Sequence, residues 1–174
     1  MKKISIIQII AGLLLMVSWF VYLYLVEPGY YEMEILDVDD NIISQFGIFS
    51  LKALRPAMVI WMAGYPVCAI LVTGCGISWL IKNIRGLETR KLDIAQIVSG
   101  AFLLALMILF VTRYEPHWQN YASEFLVNFP GAVEIRHNPG WVALMNTWKI
   151  GSFLLGPVIA GTGIWQIVKS RNEG

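Results

Sequence analysis

Apolar residues fill four long stretches of the chain, and polar residues gather between them. No charged residue occurs within Ile4–Val26, Pro56–Ile81, Ile94–Thr112 or Ile150–Val168. Each stretch is close to the roughly 20 residues that a helix needs to cross the hydrocarbon core of a bilayer. Because lipid offers no hydrogen-bond partners, the backbone of such a stretch must bond within a helix. The pattern predicts four transmembrane helices over about residues 4–26, 54–82, 94–113 and 139–169.

The composition agrees with this pattern. Hydrophobic residues make up 57% of the chain and charged residues 14%, whereas soluble domains carry about 25% charged residues. The formal net charge is +1, and no cluster of basic residues offers a surface for phosphates. These observations exclude an ordinary soluble enzyme, a disordered chain and a nucleic-acid-binding protein. We expect one integral membrane domain over residues 1–174, an all-α bundle with the lipid bilayer as its surroundings.

Basic residues between the spans predict the orientation. Eight of the thirteen flank one side, at both termini and in the 82–93 loop, so we expect these parts in the cytoplasm. Lys2 and Lys3 before an apolar run are also typical of a signal peptide. The run is long for that purpose and lacks a small-residue cleavage site, so we expect a retained helix. Short connections and the lack of an N-x-[ST] sequon favour a prokaryotic plasma membrane.

The two halves of the chain resemble each other. Lys3–Gly12 matches Lys91–Gly100 at an offset of 88 residues, and the same offset pairs Glu27-Pro28 with Glu115-Pro116. At an offset of 87, Trp61 and its following glycines meet Trp148 and its glycines. We predict a tandem repeat of a two-helix unit, with copies at residues 1–87 and 88–174. The alternative is that both halves merely share the residues that membrane helices favour.

Two loops, at roughly residues 27–55 and 113–149, are too long to be simple connections. Tyr31–Leu36 in the first and Ala132–Arg136 in the second alternate apolar and polar residues, as half-exposed strands do. We expect structured extracytoplasmic loops that pair in a small β-sheet. Asn138-Pro139 is typical of a helix start, with Asn as the N-cap and Pro at the first helical position.

Metal-ligating residue types occur in the second loop. Histidine and carboxylate side chains suit several transition metals. The candidate ligands are Glu115, His117, Glu134 and His137. Their spacing matches no diagnostic pattern, so the alternative is ordinary interfacial histidines.

The first loop carries an acidic patch of five carboxylates: Glu32, Glu34, Asp37, Asp39 and Asp40. Residues from Asp37 onward imitate the opening of a calcium loop, but Ile42 stands where that loop needs glycine. We interpret the patch as a solvated surface. A weak cation site and a docking surface for a basic partner are the alternatives.

Small residues in the second and fourth spans favour close helix packing, within the bundle or, as the alternative, against a larger neighbouring protein. The candidates are Gly64, Gly74, Gly76, Gly151, Gly156, Ala160 and Gly163. Cys68 and Cys75 lie within the second span and are interpreted as packing residues, since free cysteine behaves as a small buried hydrophobe. The aromatic run Trp19–Tyr24 is expected to face lipid or the interface, although a flat quinone could also use it.

No span contains an ionisable residue by these boundaries, and no catalytic motif occurs. Whether the protein is an enzyme stays open, with a non-catalytic role favoured. We expect an accessory or structural subunit of a larger membrane complex, of which a respiratory or energy-converting complex is one kind. The alternatives are a quinone- or metal-linked redox protein and an autonomous ligand-sensing or transport-related protein. The sequence requires no cofactor, although a quinone or a lipid is compatible with it.

Overall fold

The structure is a computed structural model that describes residues 2–27, 32–36, 39, 42–47, 56–84, 90–116, 120, 123, 131 and 134–172. Four helices in these ranges are long and apolar enough to cross a membrane, which confirms the prediction of four long apolar helices. They are α1 (Lys2–Val21), α2 (Pro56–Ile84), α3 (Arg90–Leu109) and α4 (Pro139–Asn172). Pro66 and Pro157 lie inside α2 and α4, and both helices continue through them. Lipid-embedded helices tolerate this because neighbouring groups satisfy the freed backbone.

The first turn of α4 forms where the sequence predicts it. The backbone N–H of Gly140 donates to Asn138 Oδ1 at 2.9 Å, and the N–H of Val142 donates to the Asn138 carbonyl at 3.1 Å. Asn138 therefore satisfies a donor that the helix start would otherwise leave without a partner. Pro139 has no N–H to satisfy and suits the first position.

Two helices end in a turn of π-helix. α1 continues into π1 (Tyr22–Val26) and α3 into π2 (Phe110–Tyr114). The N–H of Glu27 donates to the Tyr22 carbonyl, and the N–H of Glu115 donates to the Phe110 carbonyl. Each π turn is closed by a hydrogen bond between residues that are five positions apart. An aromatic residue, Tyr22 or Phe110, therefore lies one turn before a glutamate, Glu27 or Glu115.

Glycines let the helices of each half approach closely, α1 against α2 and α3 against α4. A Cβ added at Gly12 would lie 2.7 Å from the backbone nitrogen of Thr73. A Cβ added at Gly100 would lie 2.6 Å from the backbone nitrogen of Ala160. The other glycines whose added Cβ would have a neighbour within about 3.0 Å in an adjacent helix are Gly64, Gly76, Gly156 and Gly163. The structure thus places most of the predicted packing residues at helix contacts.

Gly74 and Gly151 differ from the rest of that set. An added Cβ at either position would meet no atom within 4 Å, and the same holds for Gly161. All three are exposed on the outer surface of the described bundle. No described helix therefore packs closely against Gly74 or Gly151. The sequence does not reveal this, because a small residue can face either a neighbouring helix or the outer surface of the bundle.

We predict that Gly100→Ala destabilises the bundle by about 1–3 kcal/mol, the usual effect of forcing extra volume into a tight contact. The clash is with backbone atoms of α4, the nitrogen of Ala160 and the carbonyl of Gly156, which cannot rotate away. Thermal unfolding in detergent micelles measures the effect. The control is Gly74→Ala, which has open space around the new methyl group. Equal midpoints for the two variants would contradict the predicted close approach.

Hydrogen bonds hold α1 against α4. Gln8 Nε2 donates to Gln166 Oε1 at 3.1 Å and to Thr162 Oγ1 at 3.4 Å. Nearer the other end, Trp148 Nε1 donates to the Ser18 carbonyl at 3.2 Å. In the contact between α2 and α3, the apolar Leu106 side chain packs against Gly64.

The structure pairs the two loop segments that alternate in the sequence. β1 (Glu32–Leu36) lies between β2 (Ile42–Gly47) and β3 (Glu134–His137), and both pairings are antiparallel. Glu34 is opposite Arg136 in one pairing and Gln45 in the other. β2 is not predicted from the sequence, because its residues do not alternate regularly between apolar and polar. The sheet joins the segment after π1 to the segment before α4.

Candidate functional site

Six buried aromatic residues meet between the four helices, and we call them the aromatic cluster. They are Tyr22, Trp61, Tyr65, Phe110, Tyr114 and Trp148. Ring centroids are 4.3 Å apart for Tyr22 and Trp148, and 5.0 Å apart for Trp61 and Tyr114. These are contact distances for aromatic pairs, which stabilise by about 0.5–1.5 kcal/mol beyond the area that they bury. The cluster is therefore the packed centre of this end of the bundle.

Tyr22 corrects one expectation. Trp19–Tyr24 is predicted to face lipid or the interface, and Tyr24 is indeed 77% exposed. Tyr22, however, is fully buried and contacts Trp61 and Phe110 edge to face. Neighbouring helices cover only one side of the segment Trp19–Tyr24. Its residues are therefore divided between the interior of the bundle and the outer surface.

A carboxyl group lies against this cluster. Glu27 directly follows the apolar span Ile4–Val26 and is 1% exposed. The Tyr114 hydroxyl donates a hydrogen bond to Glu27 Oε1 across the helix interface. The second oxygen, Oε2, is buried and has no hydrogen bond of ordinary geometry from a described residue, while the Tyr22 hydroxyl interacts more weakly with the same carboxyl group. The hydrogen bonding of this buried carboxyl group is therefore incomplete.

Burial sets the protonation of this group. Removal from water disfavours the charged form and raises the pKa of Glu27 from 4.5 to about 7. Hydrogen bonding from Tyr114, and more weakly from Tyr22, acts in the opposite direction. The carboxyl group therefore changes charge near neutral pH.

A second carboxyl group, on Glu115, follows π2 and is stabilised differently. Lys149 Nζ on α4 donates to Glu115 Oε1 at 2.8 Å, and both side chains are mostly buried. The lysine supplies the opposite charge that a buried carboxylate needs. Eighty-seven residues before Lys149 the chain carries Met62, which offers no charge. The two glutamates thus occupy similar positions along their helices with opposite electrostatic surroundings.

A chain of hydroxyl groups crosses the bundle beside the cluster. The Tyr65 hydroxyl lies 3.0 Å from Ser18 Oγ and 3.0 Å from Ser152 Oγ. Ser18 Oγ also donates to the Leu15 carbonyl at 3.0 Å. The chain connects α1, α2 and α4 and satisfies three hydroxyls away from water.

The opposite end of the bundle has its own buried polar groups. Trp79 Nε1 donates to Asp93 Oδ1 at 3.0 Å, joining α2 to α3. Asp93 falls inside α3 because the helix begins at Arg90, four residues before the predicted charge-free stretch. Ser5, Gln8, Gln96 and Gln166 are also buried there. Buried polar side chains are therefore more frequent near the helix ends than the sequence analysis suggested.

The predicted metal ligands are not brought together by the described residues. Glu115 bonds to Lys149, and His117 lies outside the described ranges. Glu134 and His137 are the end residues of β3, opposite Leu36 and Met33 of β1. Within the described part of the chain, no group of three or more His, Cys, Asp or Glu residues could hold a metal ion.

The acidic patch is described only in part. Glu32 and Glu34 belong to β1, and Asp39 is exposed in a turn. Asp37 and Asp40 lie outside the described residues. The two cysteines are free: Cys68 is buried, with its thiol donating to the Ser99 carbonyl at 3.1 Å, and Cys75 is half-buried.

Sequence reasoning missed Glu27 and the aromatic cluster as a site. One signal was present, because the Glu27-Pro28 and Glu115-Pro116 matches are not generic membrane residues. Compared with protein-family models, with curated proteins and with solved structures, the chain has no significant match. The class of protein is therefore defined by the fold alone. Four helices long and apolar enough to cross a membrane pack as a bundle around a buried aromatic and acidic centre.

Proposed function

We propose that this protein is a non-catalytic accessory or structural subunit of a larger membrane complex. The observation that carries the proposal is the outward position of Gly74, Gly151 and Gly161. In lipid, helices associate mainly through close packing, and small residues permit the closest approach. A glycine on the outer surface contributes nothing to its own bundle, but it gives a neighbouring helix a place to pack.

The side chains around these glycines are apolar and exposed, which supports a contact with a partner helix. On α4, Leu154 and Val158 are 63% and 51% exposed and lie between Gly151 and Gly161 along the helix. On α2, Leu71 and Ile77 flank Gly74 and are similarly exposed. A partner helix would find a shallow groove at the glycine with apolar side chains on either side. A membrane-protein partner therefore fits these surfaces.

The tandem repeat is part of the same proposal. π1 and π2 begin 88 residues apart, as do Glu27 and Glu115. The close contacts are also matched, since Gly12 meets Thr73 and Gly100 meets Ala160. A duplicated two-helix unit with copies at 1–87 and 88–174 accounts for all three pairs. The outward glycines Gly74 and Gly161 would then be equivalent contact points on two sides of the bundle.

We also propose the orientation and location that the charges favour. Both termini would be cytoplasmic and the β1–β3 sheet would lie on the extracytoplasmic side of a prokaryotic plasma membrane. The support is the excess of basic residues beside the termini and the 82–93 loop.

The outward glycines provide the test of the subunit proposal. Gly161→Leu is expected to reduce co-isolation of partner chains about tenfold, which corresponds to about 1.4 kcal/mol of association free energy. The new side chain would hold a partner helix away from α4. Native mass spectrometry of the protein, extracted from its own membrane in mild detergent, measures the partners.

The matched control is Val158→Leu, which changes an outward position of α4 that is already large. Both variants should keep the wild-type unfolding midpoint, because position 161 has open space around it. A wild-type protein that is isolated alone, or a Gly161→Leu variant that keeps every partner, would overturn the proposal.

One observation favours the autonomous ligand-sensing or transport-related alternative. Ionisable residues near membrane depth often mark proton or ion pathways, and Glu27 is buried without a cationic partner among the described residues.

A further inference from the structure

We infer that Glu27 is a proton-binding site of the bundle, with Oε2 as the atom that gains and loses the proton. The ligand is a proton exchanged with water or a neighbouring base, and no other bond forms or breaks. The inference does not depend on the subunit proposal, because it concerns the interior of the bundle and not its outer surface.

The first support is the incomplete bonding of the carboxyl group. Oε1 accepts from Tyr114, whereas Oε2 is buried without a standard hydrogen bond from any described residue. A carboxylate needs donors at both oxygens when water is excluded, whereas a protonated Oε2 is itself a donor and needs one acceptor, which the Tyr22 hydroxyl that interacts with this carboxyl group can supply. The arrangement therefore suits the protonated form of Glu27 better than the charged form.

The second support is the packing around the group. The rings of Tyr22, Trp61, Phe110 and Tyr114 contact one another, with centroids 4.9 to 5.6 Å apart. An organic cation held by aromatic rings would have to separate them, and a metal ion would need several more oxygen or nitrogen ligands. A proton needs neither space nor further ligands, so it is the ligand that this closed arrangement accepts.

The third support is the contrast between the two glutamates. The titratable and charged groups that the surrounding elements supply are Tyr22 on π1, Tyr65 on α2, Tyr114 on π2, Glu115 after π2 and Lys149 on α4. Lys149 bonds to Glu115 at 2.8 Å. Glu27 has no such cation among the described residues and interacts instead with the neutral hydroxyl groups of Tyr114 and Tyr22. Its raised pKa, about 7, agrees with this geometry.

The sign of the pH dependence follows from that pKa. The folded protein holds the proton up to about pH 7, whereas a water-exposed glutamate releases it near 4.5. The folded state therefore binds more protons between these values, and stability falls as the pH rises through this window. The contribution of Glu27 is complete below 4.5 and is lost above about 7.

Infrared difference spectroscopy of the full-length protein in lipid vesicles tests the inference. Protonated carboxylic acids have a C=O stretching band that carboxylates lack. We expect a band that disappears with a midpoint near pH 7 and shifts when the glutamate carboxyl carbons carry ¹³C. Glu27→Gln should abolish it, and the control variant Glu115→Gln with Lys149→Met, which removes both charges of the other pair, should retain it.

Tyr114→Phe keeps the test decisive if Glu27→Gln fails to fold. This variant removes the hydrogen bond that favours the carboxylate, so the midpoint should move to higher pH. A band with a midpoint near 4.5, a band that survives in Glu27→Gln, or an unchanged midpoint in Tyr114→Phe would overturn the assignment.

Discussion

Trp61→Ala is expected to destabilise the bundle by about 3–5 kcal/mol, the usual loss for a large aromatic residue removed from a packed interior. Trp61 is fully buried, and its ring lies 4.9 to 5.9 Å from the rings of several other members of the aromatic cluster. The cavity would border every helix, so no single side chain could move to fill it. Thermal or denaturant unfolding in detergent micelles gives the change in free energy.

The matched control for this variant is Trp165→Ala on α4, a tryptophan that is 63% exposed. Its loss removes contacts to lipid or detergent and leaves no cavity, so we expect a change within about 0.5 kcal/mol. Equal losses for the two tryptophans would show that the cluster is not the packed centre of the bundle.

Lys149→Met is expected to have the second large effect, a loss of about 3–5 kcal/mol. The substitution leaves Glu115 as a mostly buried carboxylate without the ammonium group that lies 2.8 Å away in the native protein. It also reproduces the residue found at Met62, 87 positions earlier. The measurement is again the unfolding free energy in detergent, here at neutral pH.

A second substitution separates the charge from the packing of the lysine. The double variant Lys149→Met with Glu115→Gln removes both charges, so it should recover most of the lost stability. If Lys149→Met alone were as stable as the native protein, or the double variant no better than the single one, the ion pair would not have the role assigned to it.

The bilayer explains why the helices could be predicted from the sequence. Charge-free stretches such as Ile4–Val26 reflect the thickness of the hydrocarbon core, a constraint that acts on length and composition alone. The start of α4 was predictable for a local reason, because the Asn138 side chain bonds to a backbone N–H two residues away. Neither prediction depends on which helices are neighbours in the folded protein.

The site could not be predicted in the same way. In a soluble helix, the apolar face identifies the interior, but a membrane helix is apolar on the lipid side as well. The sequence therefore could not separate Tyr22, fully buried, from Tyr24, 77% exposed. Burial of Glu27 depends on the π turn that precedes it and on Tyr114 from the other half of the chain.

The hydrogen bonds of the α1–α4 interface also have a consequence for how the protein is made. Gln8 bonds to Thr162 and Gln166, and Ser18 accepts from Trp148, so α1 obtains these partners from a helix that lies 130 to 158 residues later in the chain. Until the ribosome has produced α4, the polar side chains of α1 must find water, lipid head groups or a helper protein at the insertion site. Closure of the α1–α4 interface must therefore wait until α4 has been synthesised.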